Sequence, residues 1–183
     1  DDDGDSGTVA SESGTTTEVV VQAADGGDFN PAQIYKDVAP GVVLLDWTDD
    51  TNDPQYPISL DAFERLSRAT DAQGRALEVI KLPQPGPLYM TGEEARGVDV
   101  IEGVQPREAG LRLAASYVNF YCCNGAVIMP LLDQKTDSTA AEILRRAFPD
   151  RKIVPVAARE ILLGGGDVHC ITQQQPAARS KTS

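Results

Sequence analysis

Residues 116–131 read SYVNFYCCNGAVIMPL: two β-rich runs, Ser116 to Tyr121 and Ala126 to Leu131, that meet at Asn124 and Gly125. Asn-Gly between apolar runs is the strongest short-range hairpin signal, because both residues tolerate positive φ. Downstream, Thr136 to Phe148 places Ala140, Ile143, Leu144 and Ala147 on one face of a helix. A Ser or Thr cap opens it, and Arg145 and Arg146 occupy its last turn, where cations suit the helix dipole. Lys152 to Val156 follows as a strand. The order is therefore β, β, α, β.

Upstream the pattern recurs. Gly41 to Trp47 is a short β-branched run suited to a buried strand. Ser59 to Thr70 carries Leu60, Phe63 and Leu66 at helical spacing, with Ser59 as the expected N-cap and Gly74 beyond the end. Leu77 to Leu82 alternates as a strand. Pro83, Pro85, Gly86 and Pro87 then predict a loop that runs past Glu93 and Glu94 to about Pro106. The chain is thus α/β, and its order is that of a repeating module rather than a doubly wound sheet.

The expected globular part covers residues 34–177. Residues 1–33 form an acidic segment too poor in apolar residues to offset its ordering entropy and are expected to be disordered, with a short flexible tail over 178–183. Because the chain opens on Asp1 rather than Met, it is expected to be processed or a piece of something longer. The formal charge is −12, from 28 Asp and Glu against 16 Lys and Arg, which argues against nucleic acid and anionic membranes and suits a small cationic ligand. Three cysteines, two of them adjacent, make a poor disulfide framework and fit a reducing, cytoplasmic setting. No run approaches the roughly 18 apolar residues of a membrane span.

The chemistry concentrates in Gly164 to Pro176, GGGDVHCITQQQP. Three glycines permit positive φ and close approach of the backbone to a ligand, and they lead directly to Asp167, His169 and Cys170. A glycine-rich turn ahead of a small buried cysteine fits the residue types equally well. Val168 to Thr172 is β-like, and on an extended strand His169 and Cys170 would face opposite ways. That excludes His169 as a partner of the thiol and leaves it a packing role. No Lys-Ser/Thr follows the glycines, so a phosphate loop is excluded. Cys122 and Cys123 have no third and fourth ligand at metal spacing and are expected to pack at the hairpin end. Trp47, Tyr117 and Phe120 are expected in the core, with Tyr117 or Asn119 as candidates to line a channel.

The segments Ala39 to Leu45 (APGVVLL), Thr70 to Arg75 (TDAQGR), Ser116 to Tyr121 (SYVNFY) and Gly164 to Pro176 resemble the agmatine deiminase family and its peptidylarginine deiminase relatives. The resemblance covers about Val38 to Pro176. It implies a pentein-type α/β propeller of five ββαβ modules, of which this chain would hold about the last two. It also implies covalent hydrolysis of a guanidinium, with Cys170 as nucleophile and Gly165, Gly166, Asp167 and Asn119 near the substrate. No metal or organic cofactor is implied, and the partner is a small cationic guanidino compound such as agmatine, with a homo-oligomer possible. The chain departs from the family twice: it reads Phe29-Asn30-Pro31-Ala32 where the family has Gly-His-x-Asp, and Asp167 where the family usually has Asn. Those departures leave two other expectations open, a catalytically inactive fragment and a protein-arginine deiminase.

Overall fold

A computed structural model describes residues 35–99 and 107–175. The acidic segment, the tail, the Phe29 to Ala32 position and the end of the proline-rich loop lie outside the described residues. Within them are two three-stranded sheets. The first comprises β1 (Tyr35–Ala39), β2 (Val42–Trp47) and, after helix α1 (Gln55–Leu66), β3 (Glu78–Pro83). After a short helix α2 (Gly92–Arg96), the second comprises β4 (Tyr121–Cys123), β5 (Ala126–Leu131) and, after α3 (Asp137–Ala147), β6 (Lys152–Ala157). A short helix α4 (Arg159–Leu163) leads to the glycine loop. In each sheet the first two strands are antiparallel and the third is parallel to the second. Each unit is therefore ββαβ.

Strand alternation builds the layers. On β2, Val43, Leu45 and Trp47 pack with Ala62 and Leu66 of α1. Leu44, pointing the other way, joins Leu82, Phe120, Val127, Met129 and Leu144 in a core shared by both units. Helix α3 thus lies between the sheets, while α1 covers the outer face of the first. Trp47, Tyr117 and Phe120 are buried, as expected of core aromatics.

Several local expectations are corrected. Helix α1 begins at Gln55, so Ser59 sits buried in its second turn and caps nothing. The start signal is Asp53-Pro54: the Asp53 carboxylate accepts the Gln55 amide at 2.8 Å, and proline suits a helix start. The helix ends at Leu66, and Gly74 belongs instead to a turn in which Asp71 accepts the Gln73 and Arg75 amides. Residues 117–119 form a 3-10 turn rather than strand, because the Ser116 hydroxyl accepts the Val118 amide and the Tyr117 hydroxyl donates to Asp137 at 2.6 Å. Asp137 also accepts the Leu132 and Asp133 amides. The Thr136 side chain makes no cap bond to α3 and pairs with Tyr117 instead. Strand β1 and helices α2 and α4 were not legible as elements.

Candidate functional site

The glycine loop is shaped by what a side chain would strike. Gly165 has φ +92°, a conformation that strains any residue with a Cβ, and beside it the Arg107 guanidinium donates to the Gly164 carbonyl at 3.2 Å. A Cβ on Gly166 would lie 2.8 Å from the Cys170 Cβ. Only glycine lets this backbone fold against the cysteine.

Beyond the glycines, the expected strand is a 3-10 turn over Val168–Ile171. The Asp167 carboxylate accepts the Val168 amide at 2.7 Å, and the Cys170 amide closes onto the Asp167 carbonyl at 2.9 Å. Such local bonding competes with an extended strand and wins here. Successive residues of a 3-10 turn do not alternate between two faces, so strand geometry does not separate His169 from the Cys170 thiol. His169 is exposed rather than packed, and partial desolvation of its ring together with the Lys36 charge holds its pKa below the ordinary value.

Cys170 is exposed, and its Sγ lies 3.7 Å from Asn119 Oδ1. The structure thus brings together Cys170, Gly166 and Asn119 of the expected set, with Asp167 tied to Cys170 through its carbonyl. Asp167 is fully buried, and burial raises its carboxyl pKa to about 7 against the opposing pull of the Val168 and Ser116 amides. Its Oδ2 has no hydrogen-bond partner, and neither does Asn119 Nδ2. Gly165 faces Arg107.

Two charged residues escaped the sequence reading. Lys36, on β1, donates to the Phe120 carbonyl at 2.6 Å and lies 4.5 Å from that ring's centroid. Burial lowers its pKa to about 8, opposed by the nearby Cys122 and Cys170 thiols. Asp46, on β2, is 2 % exposed; burial raises its pKa to about 7, against Ser116, Gln84 and Arg112, with Asp53 adding to the rise. A lone carboxylate inside an apolar run was the available signal for Asp46. Lys36 gave none, because its strand was unrecognised.

Cys122 and Cys123 sit half-buried on β4, where Cys123 Sγ meets the Ala126 carbonyl at 3.5 Å, in keeping with packing at the hairpin end. Among the described residues no cluster of His, Cys, Asp or Glu could hold a metal ion, and no helix is long and apolar enough to cross a membrane.

Comparison with known proteins gives a consistent picture. The chain matches the Porphyromonas-type peptidyl-arginine deiminase family over residues 28–176. It is 56 % identical over 142 residues to an agmatine deiminase of Pseudomonas aeruginosa, which covers 78 % of this chain and 39 % of that protein. Among solved structures it is similar to the Enterococcus faecalis agmatine deiminase described as catalyzing its reaction, with TM-score 0.73 and 41 % identity over 79 % of this chain and 40 % of that one. The C. jejuni agmatine deiminase aligns with TM-score 0.58 and 27 % identity over 76 % of this chain and 36 % of that one. The chain thus spans about 39 % of the length of the curated relatives it matches.

Proposed function

This chain belongs to the Porphyromonas-type peptidyl-arginine deiminase family, and from that premise we propose that it carries the nucleophile-bearing part of an agmatine deiminase. The whole protein would hydrolyse agmatine to N-carbamoylputrescine and ammonia, a step toward putrescine. The two ββαβ units are read as two of the five modules of a pentein-type propeller, with the remaining modules supplying the carboxylates that hold the flat cation. The observation that carries the reading is Cys170, exposed on a loop that only glycine can form and 3.7 Å from Asn119 Oδ1.

In the proposed mechanism the Cys170 thiolate attacks the guanidinium carbon to give a tetrahedral adduct. The C–N bond to one terminal nitrogen breaks, the nitrogen leaves as ammonia after taking a proton, and an S-amidino-cysteine remains. Water adds to that carbon, the C–S bond breaks, and the ureido product leaves with the thiolate restored. The chain's own contribution is to hold the sulfur at the rim and keep Asn119 beside it. A protein-arginine deiminase remains the second reading, favoured by the family to which the chain belongs; the 56 % identity to an agmatine deiminase favours the first.

The test is incubation of the purified, folded chain with agmatine, followed by intact mass and ammonia measurement. An S-amidino adduct confined to Cys170 and lost in Cys170→Ser is expected. A folded sample that forms neither adduct nor ammonia would refute activity of this chain on its own and leave the inactive-fragment reading.

A further inference from the structure

Asn119 meets the Cys170 sulfur with half of its side-chain amide in use. It is 4 % exposed, at the end of the 117–119 turn. Its Oδ1 accepts from Cys170 Sγ at 3.7 Å, whereas Nδ2 is buried and has no partner. An unpaired buried donor is costly, and nothing on that side holds the amide in its present sense. The oxygen and nitrogen of an Asn amide have nearly the same shape and its terminal torsion is roughly two-fold, so the way it faces follows from the bonds it makes. Here one bond decides, and it depends on the proton carried by the sulfur.

The backbone around the contact is fixed by bonds that do not involve this amide. The Asn119 N–H donates to the Ser116 carbonyl at 3.1 Å, and Lys36 on β1 donates to the Phe120 carbonyl at 2.6 Å. On the facing turn the Cys170 N–H donates to the Asp167 carbonyl at 2.9 Å, and the Cys170 Cβ would lie 2.8 Å from a Cβ on Gly166. Main-chain bonds thus set the distance between the two residues. The end of the Asn119 side chain can turn over without disturbing them.

Loss of the sulfur's proton reverses what the amide faces. A thiol offers a hydrogen to Oδ1, but a thiolate offers only lone pairs, and two acceptors in contact repel. We propose that Asn119 is a further catalytic residue: as Cys170 ionises, the Asn119 amide turns over about its terminal torsion and Nδ2 donates to the thiolate. The turn breaks no bond, since Nδ2 has none and the S–H···O bond is lost with the proton. A hydrogen bond to an anion is roughly twice as strong as one between neutral groups, so the turned amide stabilises the nucleophilic form of the sulfur. Its catalytic standing rests on the guanidine-hydrolase reading above, in which that sulfur attacks.

The neighbouring groups leave this role to Asn119. Lys36, from β1, acts on Cys170 by charge, a pull that is the same whichever way the amide faces. Tyr117, on the same turn as Asn119, has its hydroxyl on Asp137, and burial pushes its pKa up. Strand β5, which also packs against the 168–171 turn, carries no titratable side chain. On the cysteine's own turn Asp167 Oδ1 is taken by the Val168 amide, and His169 is exposed with its pKa held low by partial desolvation and Lys36. Among the described residues, Asn119 is the side chain hydrogen-bonded to Cys170 Sγ.

The test follows alkylation of Cys170 by iodoacetamide in the full chain, resolved by peptide mass so that Cys122 and Cys123 are counted apart. Asn119→Leu keeps the shape of the side chain and removes its donor. At pH 7 it should slow Cys170 by about threefold: roughly tenfold is lost in thiolate fraction with one hydrogen bond to a charged group, and part returns because a less stabilised thiolate is more nucleophilic. By pH 10 thiolate fraction no longer limits the rate, and the variant should be as fast as the parent or faster. A variant slower at every pH, or equal to the parent at pH 7, would overturn the proposal. If Asn119→Leu fails to fold, nitrogen-15 NMR of the side-chain amides decides. The Asn119 amide proton signal should move downfield from pH 6 to pH 10 in the parent and stay in place in Cys170→Ser; no movement, or equal movement in both, would overturn it. Neither measurement uses a substrate. Alkylation rates that cross as stated, without any S-amidino adduct from agmatine, would sink the hydrolase reading alone. An adduct that forms in Asn119→Leu as fast as in the parent at pH 7 would sink this one alone.

Discussion

The two ββαβ units share a topology and differ in how their sheets are covered. Both turn from first to second strand through a glycine with positive φ, Gly41 at +76° and Gly125 at +72°, and both continue through a helix to a parallel third strand. In the first unit the middle strand β2 is buried at every position from Val43 to Trp47, because α1 lies on one face and α3 with the 117–119 turn on the other. In the second, β5 buries Val127, Met129 and Pro130, while Ile128 is only partly covered and Leu131 is 38 % exposed. The same backbone plan is thus used once as an interior layer and once as an outer one. Polar residues follow that difference: Asp46 is trapped in the interior sheet, whereas Cys170 lies beyond the outer one, at the surface.

The largest expected effect tests the interior seam. Leu44 is fully buried among Leu82, Phe120, Val127 and Met129, residues drawn from both units. Leu44→Ala should cost about 3–5 kcal/mol in a denaturant titration, through lost transfer energy and a residual cavity. Leu131→Ala on the outer sheet should stay within about 0.5 kcal/mol. Equal costs would mean that the two sheets are covered alike and would end the comparison.

A smaller effect separates the units by pH. Asp46 in the first and Asp167 beyond the second are both buried carboxyls raised from 3.8 to about 7. Between those values the folded state keeps protons that the unfolded chain has released, so stability falls as pH rises from 4 to 7 and stays low above it. Asp46→Asn and Asp167→Asn remove that dependence. Each should be more stable than the parent at pH 8 by roughly 2 kcal/mol, less than the full shift implies because a buried amide still costs something, with the gap closing toward pH 4. Melting temperatures across pH 4 to 8 measure this, and parallel curves for parent and variants would remove the carboxyls from the account.

The legible parts of the chain were those whose residues repeat. Four strands at Val42–Trp47, Glu78–Pro83, Ala126–Leu131 and Lys152–Ala157, the helix around Leu144 and the Asn124-Gly125 turn all carry β-rich, period-3.6 or turn chemistry that survives tertiary contact. What failed was local bonding by single polar side chains. Ser116, Asp137 and Asp167 each fold a short segment through one carboxylate or hydroxyl, turning two expected strands into 3-10 turns, and no periodicity announces that. The candidate site shows the same division. Cys170 and Asn119 were found because a distinctive segment names them, whereas Asp46 and Lys36 matter through burial, which depends on residues 38 to 84 positions away in the chain.

The smallest prediction concerns the exposed faces of the two helices, where the interior and outer units should not differ at all. Helix α1 carries Asp61 and Arg65 paired at 2.8 Å, and α3 carries Glu142 with Arg145 at 3.4 Å, every one of these side chains at least one-third exposed. Solvent screens such pairs, and holding two long side chains in one geometry costs entropy that offsets most of the attraction. Arg65→Ala and Arg145→Ala should therefore each change stability by less than about 0.5 kcal/mol, and by amounts that shrink further as salt is raised. A pair worth several times more on α1 than on α3 would show that the first helix is held by its surface charges as well as by Leu66 and Ala62 beneath it. The contrast between the units would then no longer be one of buried coverage alone.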